Sequence, residues 1–427
     1  MKGAQKLSQQ RRGTRPIGVD LFCGAGGMSL GFEQAGFTVA AAVDISRVNA
    51  KVHERNFPKA ITICGDVRDL DGATIRRTAN LGRIDIDVVF GGPPCQGFSV
   101  GGKQRVGDPR NELLLEFARL VTELHPKYFA MENVAGLLSD RYAPLLRQFK
   151  RVLRCGGYSI LEPVICLDAA DFGVPQRRKR VFVLGWRKGE NALLYPRVRR
   201  GRIFVGSAID DLKIVNGSTL VDGDSYSGPL GPPTSYSRAL RKSRGGSSLK
   251  VITGFARTAH SAEVVERFRR VKQGHVDSIS RFIRLDRQDV APTLRAGTGA
   301  ENGRFMAPRP IHPDYPRCIC VREAARLHSF PDWFIFHDTK WNGFMQVGNS
   351  VPPALAKAVA HKIKTSLVRG PNAARAKPRD HFAPHGDRQI AQHGTRTVGS
   401  LNCSSVRIAI SSDKSRPARV ARPCQQI

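Results

Sequence analysis

Residues 85–99 constrain this chain more than any other stretch. Asp85-Ile86-Asp87-Val88-Val89-Phe90 is a short apolar run rich in β-branched residues, the pattern of a buried strand. Gly91-Gly92-Pro93-Pro94 ends it abruptly, and Cys95 follows on that rigid turn, ahead of Gln96-Gly97-Phe98-Ser99. A free cysteine ordinarily lies inside an apolar run as a small hydrophobe. Here the turn presents the thiol at the carboxyl end of a strand and gives it nothing to pack into. Open α/β sheets place their ligands at that rim.

The start of the chain predicts the same kind of sheet. Ile17-Gly18-Val19-Asp20-Leu21-Phe22 has strand character, Cys23-Gly24-Ala25-Gly26-Gly27 a turn, and Met28, Leu30, Phe32 and Ala35 begin a helix that stops near Gly36. Strand, glycine turn and helix form the nucleotide-binding start of a doubly wound sheet. The glycines let the backbone approach a ligand, and the helix N-terminus favours its anionic end. A dinucleotide fingerprint would want a third glycine where Ser29 stands, which argues against a nicotinamide or flavin dinucleotide. A second strand over 39–43 ends in Asp44, 20 residues beyond Gly24, where such folds hold an acid for ribose hydroxyls. Asp44 could equally cap the helix that follows, and the two roles are compatible. A third strand over 61–64 ends in Gly65-Asp66-Val67.

Beyond Cys95, the glycine-rich run over 101–108 suits a closing lid, and a helix is expected over 111–124. The strand 128–131 ends in Glu132-Asn133-Val134, which puts a carboxylate on the same rim as Cys95. Residues 161–169 continue the sheet. Gln176-Arg177-Arg178-Lys179-Arg180 then leads into the strand 181–185, and alternation points Arg178 and Arg180 to one side. From about Arg187 to Pro308 the chain is loop-like and basic, without a catalytic constellation or a repeat. Residues 322–332 have helical spacing up to Pro331, and Gln346-Val347-Gly348-Asn349-Ser350-Val351-Pro352-Pro353 leads into a helix over 354–365. The basic tail from 369 is short of apolar clusters and is expected to be disordered.

Lysine and arginine number 68 against 36 acidic residues, a net charge of +32, which favours a polyanionic partner such as nucleic acid. The nine cysteines are scattered, without a C-x-x-C pair. Cys318 and Cys320, one residue apart, make a poor zinc spacing, so neither disulfides nor a metal is expected, and a reducing cytosol is. No segment has the run of about 18 apolar residues that a membrane span needs. The polar, basic start lacks the apolar core of a secretory signal.

Together these segments resemble the DNA cytosine-5 methyltransferases of bacterial restriction–modification systems, with six motifs in the family's order between Asp20 and Pro353. The resemblance implies a doubly wound, Rossmann-like α/β domain that binds S-adenosylmethionine, with a smaller inserted target-recognition domain. The implied boundaries are a basic N-terminus over 1–15, a catalytic domain over 16–186 and 309–368, a recognition domain over 187–308, and a tail over 369–427. It implies Phe22 against the adenine, Gly24 and Gly26 in the turn, Asp44 on the ribose and Asp66 at the adenine amino group. Asn349, Ser350 and Val351 would close that pocket. Residues 322–332 resemble the family's scaffold helix, and Thr293-Leu294 resembles a recurring threonine motif near the end of the recognition region. The implied partner is double-stranded DNA, with no membrane, a monomeric enzyme, and a restriction endonuclease acting separately. The implied location is the bacterial cytoplasm, in association with the nucleoid.

The chemistry asks for the same groups. Cytosine C5 is a poor nucleophile, and addition of the Cys95 thiolate to C6 would make C5 an enamine carbon able to accept a methyl group. Glu132 would act as the acid facing N3, and Arg180 and Arg178 would hold O2 and favour the thiolate. The base must leave the stack to react. Transfer to an exocyclic amine would instead be expected to use an Asp/Asn/Ser-Pro-Pro-Tyr/Phe loop. RNA cytosine methylation by the same chemistry, and an inactive DNA-binding relative, are the alternatives to a DNA enzyme.

Overall fold

The computed structural model describes residues 15–94, 112–215, 221–244, 249–297 and 308–368. Cys95, the run over 101–108, the N-terminus over 1–14 and the tail from 369 lie outside them.

The first half alternates strand and helix: β1 (Ile17–Leu21), α1 (Gly27–Gln34), β2 (Thr38–Asp44), α2 (Arg47–Asn56), β3 (Ile61–Cys64), α3 (Gly72–Thr78), β4 (Val88–Gly91), α4 (Glu112–Leu124) and β5 (Tyr128–Val134). Then come α5 (Ala143–Cys155), β6 (Tyr158–Ile160), β7 (Ile165–Asp168) and β8 (Lys179–Arg187). The eight strands form one sheet in the order β3-β2-β1-β4-β5-β8-β6, with β7 beside β8. Strands β1 to β5 pair in parallel, and β8 runs antiparallel to β5, β6 and β7. The chain order reverses between β1 and β4, which puts a crevice at their carboxyl ends.

Alternation along the strands supplies both cores. Val88, Phe90, Tyr128, Ala130, Phe182 and Leu184 face one side, against Phe32 of α1 and Val52 of α2. Val89, Phe129, Met131, Val181 and Val183 face the other, against Phe117 of α4 and Phe149 of α5. The expected strand over 161–169 is shorter than that, β7 alone, with β6 ahead of it, and each pairs antiparallel with β8. Pro163 has no N–H for the ladder and lies between them.

The interval 187–308 contains α6 (Val205–Ile209), a small antiparallel sheet of β9 (Val221–Asp222), β10 (Ser225–Tyr226) and β11 (Ile252–Thr253), α7 (Ser235–Leu240) and α8 (Ala262–Arg270). Beneath it runs α9 (Val321–Leu327), two of whose arginines are wholly buried. Arg322 donates from Nε to the Thr253 carbonyl at 2.7 Å, and Arg326 pairs with Asp211 at 2.7 Å and Asp332 at 2.6 Å. The helix expected over 322–332 stops at Leu327, because Ser329 turns left-handed at φ 66° ahead of Pro331. Then follow α10 (Lys340–Asn349) and α11 (Pro353–Val368), whose Leu355, Val359 and Ile363 join the core face beside α1.

Candidate active site

The carboxyl ends of β4, β5 and the start of β8 meet at one rim. Register puts Gly91 beside Met131 and Val134 beside Arg180. The strand therefore runs through Glu132 rather than ending at Met131, because antiparallel β8 continues to pair with it. Arg180 Nε lies 2.8 Å from Glu132 Oε1, and both side chains are largely buried. A Cβ on Gly92 would come within 2.7 Å of Glu132 Oε2, so a larger residue there would press on the carboxylate and its pairing with Arg180. Asn133 Nδ2 donates to the Pro93 carbonyl at 3.3 Å and tethers the same turn. Burial pushes the Glu132 carboxyl up, against the opposing pull of Arg180 and Arg178. The residue after Pro94 in the sequence is Cys95, the first beyond the described residues.

The two arginines differ. Arg178 is buried, and it donates from Nη1 to the Leu294 carbonyl at 3.1 Å and from Nη2 to the Gly348 carbonyl at 2.6 Å. It contributes charge at Glu132, while Arg180 makes the direct contact.

The turn after β1 forms a second cluster on the sheet's carboxyl edge. Phe22, Gly24 and Gly26 all have positive φ, at 62°, 54° and 103°. Asp44 holds this turn, accepting from Gly24 N at 2.8 Å through Oδ2 and from Ser46 N at 2.9 Å through Oδ1. Ser46, not Asp44, caps α2. Asp66 accepts from the Arg68 backbone N at 3.0 Å and pairs with the Arg68 guanidinium at 2.5 Å, which lowers its pKa. Asn349 is exposed at the end of α10, whereas Ser350 and Val351 are buried, and Ser350 Oγ donates to the Gln346 carbonyl at 2.6 Å.

The description C-5 cytosine-specific DNA methylase matches residues 18–365. The chain belongs to that family. This methylase is an S-adenosylmethionine-dependent DNA methyltransferase. It is 43% identical over 420 residues to the Type II methyltransferase M.XorII of Xanthomonas oryzae pv. oryzae, covering 96% of this chain and 97% of that one. It is 31% identical over 382 residues to the Type II methyltransferase M.DdeI of Desulfomicrobium norvegicum, covering 81% and 88%. A solved E. coli structure, described as a DNA modification methyltransferase encoded within a prophage, is 33% identical with a TM-score of 0.71, covering 82% of this chain and 99% of that one.

The methylase's first turn fits S-adenosylmethionine, whose sulfonium and ammonium are cationic. Asp20 is buried, and its Oδ1 has no hydrogen-bond partner among the described residues. Its carboxyl is pushed up to about 8, chiefly by burial, with Ser29 opposing and Asp44 reinforcing. Beside Asp44, Ile45 is 67% exposed and presents an apolar surface of the kind a purine would cover. The motifs did not single out Ile45; an apolar residue just past a strand's end looks like core until its exposure is known. Among the described residues no group of three His, Cys, Asp or Glu could hold a metal ion, and no helix is long and apolar enough to cross a membrane.

Sequence reasoning also missed two buried networks in the methylase. Ser29 Oγ donates to Asp20 Oδ2 at 2.6 Å and lies 3.0 Å from His53 Nε2, while His53 Nδ1 lies 2.8 Å from Thr62 Oγ1. The residue that replaces a dinucleotide glycine is therefore the hub of a polar chain under the turn. His328 lies 2.9 Å from Gln176 Nε2 through Nδ1 and 2.9 Å from the Ser350 carbonyl through Nε2. An amide donor at Nδ1 and a carbonyl at Nε2 fix the neutral tautomer, and burial holds its pKa well below the usual value. His328 thus joins the arginine segment to the residues that close the first turn.

Proposed function

We propose that Cys95, Glu132 and Arg180 carry out cytosine-5 methylation on a base flipped from a specific DNA duplex. The Glu132–Arg180 pair, held against Gly92 beside the entry to Cys95, is the observation that carries this reading. Cys95 adds as thiolate to C6 of the flipped cytosine, and its proton is released to solvent. Glu132 protonates or hydrogen-bonds N3 as that addition develops, and burial, which raises its pKa, favours the acid form. Arg180 orients Glu132 and holds O2 through a charge-assisted hydrogen bond. Arg178 acts on the same centre by charge and by tying Leu294 and Gly348 to it. S-adenosylmethionine supplies the electrophilic methyl group. Loss of the C5 proton to a solvent base, with the N3 proton returned to Glu132, then lets the thiolate leave and restores the aromatic ring.

For the cofactor, Asp44 is assigned to the ribose, and Phe22 and Ile45 to the adenine. Asp66 is assigned to the adenine amino group through an oxygen that also serves Arg68. Gly24 and Gly26 give the ligand access to backbone, and Asn349, Ser350 and Val351 close the pocket. The catalytic domain spans 16–186 and 309–368, and the interval 187–308 reads the target sequence. The Type II names of the relatives support a restriction–modification role, in which a monomeric enzyme acts in the bacterial cytoplasm, at the nucleoid, apart from its endonuclease. The proposed steps require no metal ion, so activity should persist in chelator.

The test is trapping on duplex DNA that carries 5-fluorocytosine. A stable protein–DNA adduct is expected with the natural chain and none with Cys95→Ser, which should still bind cofactor and DNA. An adduct retained by Cys95→Ser, or none from the natural chain, would refute the assignment.

A further inference from the structure

Within the recognition interval, residues 274–284 form a short hairpin. Gly274 N donates to the Arg284 carbonyl at 2.9 Å, Arg284 N to the His275 carbonyl at 2.8 Å, and Asp277 N to the Phe282 carbonyl at 2.8 Å. Val276 pairs with Ile283 between them. The tip is built around the buried Asp277 carboxylate, which accepts from Ser280 N at 2.7 Å, Ser280 Oγ at 2.6 Å and Arg267 Nε of α8 at 2.9 Å. Arg281 closes the tip onto the Asp277 carbonyl at 2.9 Å and sits at φ 60°, a region non-glycine residues avoid. The root is also fixed. Arg284 Nη1 donates to the carbonyls of Phe268 and Val271 at the end of α8, and Phe282 packs against the core of Phe268, Ile311 and Cys318. A left-handed residue commonly closes such a tip, but simple chain reversal does not require the anchoring of both tip and root onto α8.

The tip exposes two β-branched apolar side chains, Val276 at 50% and Ile279 at 70%. Around them Lys272, His275, Ser278 and Arg281 are exposed. Two apolar side chains are far less than a protein-binding patch of several hundred Å². They match what a DNA groove offers, which is thymine methyl groups at base edges flanked by phosphates. Past the hairpin the chain runs directly to the catalytic rim. Asp289 pairs with Arg177 at 3.0 Å, the Ala291 carbonyl accepts from Arg177 N at 2.8 Å, and the Leu294 carbonyl accepts from Arg178.

We propose that this hairpin enters a groove of the target duplex, where Val276 and Ile279 are specificity-determining residues that pack on base edges while Lys272 and Arg281 contact phosphates. The inference rests on the DNA-methylating reading above. Its test uses the full-length protein on a pool of duplexes with randomised sequence, scored for 5-methylcytosine. The natural chain should methylate one defined site. Ile279→Ala and Val276→Ala should lower kcat/KM on that site about ten-fold and relax the preference at one or two base pairs. Their thermal midpoints and nonspecific DNA binding should be unchanged. Lys272→Ala and Arg281→Ala should instead weaken binding to all sequences and reduce the salt slope by about one each. Ile214→Ala, an exposed apolar residue elsewhere in the interval, serves as control. If the natural chain selects a site and both apolar variants keep its rate and preference, the hairpin does not read sequence and the methylation reading stands. If the natural chain makes no 5-methylcytosine in DNA, both fall.

Discussion

Asn133 donates its side-chain amide to the Pro93 carbonyl, so the end of β5 directly holds the turn that delivers Cys95. Its own Oδ1 accepts from Val134 N at 2.9 Å, which fixes the side chain in that orientation. Asn133→Ala removes the tether and leaves a carbonyl without its donor, at a cost of about 1–3 kcal/mol of stability. The expected result is a fall in single-turnover rate with little change in S-adenosylmethionine affinity. Equal losses in both would mean that Asn133 supports the whole sheet edge rather than the turn.

Glu132→Gln keeps the shape but removes the acid, and transfer should slow by about 10²–10⁴. The natural enzyme's rate should decline as pH rises through the raised pKa of Glu132, because the protonated form is lost there. The variant, neutral at every pH, should lack that decline. Rate measurements on both proteins across the pH range in which they stay folded check it, and an identical alkaline limb in the variant would assign the titration to another group.

Asp20 links stability to pH. Its carboxyl is pushed up to about 8 in the folded protein from 3.8, so the folded state holds a proton that the unfolded chain releases over that interval. The stability this contributes is complete below the unfolded value and is lost as pH rises through about 8. Denaturant titrations at pH 6 and pH 9 should show the natural protein weakening, with the difference largely removed in Asp20→Asn. A slope that survives the substitution would exonerate Asp20.

Arg326 is wholly buried between Asp211 and Asp332. Arg326→Leu leaves these carboxylates without its charge, and Asp211 retains Arg241. A loss of about 3–5 kcal/mol is expected from guanidinium unfolding, the usual result of removing one partner from a buried pair. A loss below about 1 kcal/mol would show that the pair is readily replaced by packing.

The sequence made some parts of this architecture visible and hid others for physical reasons. The strand at Ile61–Cys64 and the turn after β1 are written locally, by a β-branched run ended at Gly65 and by closely spaced glycines. Glu132 was found from its position after an apolar strand, and Arg180 from its position before one. The direction of β8 was not legible, because periodicity is the same for parallel and antiparallel pairing. Helix α10 was missed because Gly343 and Gly348 weaken its local signal. Separation in sequence hid the different placement of the two arginines. Arg178 meets Gly348, 170 residues away, and no local pattern announces that contact.

The antiparallel course of β8 also governs how this enzyme can diversify. The strand starts beside Glu132 and ends where Arg187 N bonds the Lys127 carbonyl, at the opposite edge of the sheet. Arg187 lies seven positions beyond Arg180, roughly 24 Å of extended chain. On the proposed reading, the polypeptide leaves for its DNA-reading excursion from the end of β8 away from Glu132, and the span from Asp289 to Leu294 brings it back to the arginine segment. Insertions and replacements beyond Tyr195, whose hydroxyl still donates to the Phe182 carbonyl of β8 at 3.0 Å, fall outside the strand that carries Arg180. If the interval reads sequence as proposed, exchanging it as one internal cassette should change the target while the methyl-transfer machinery is inherited unchanged.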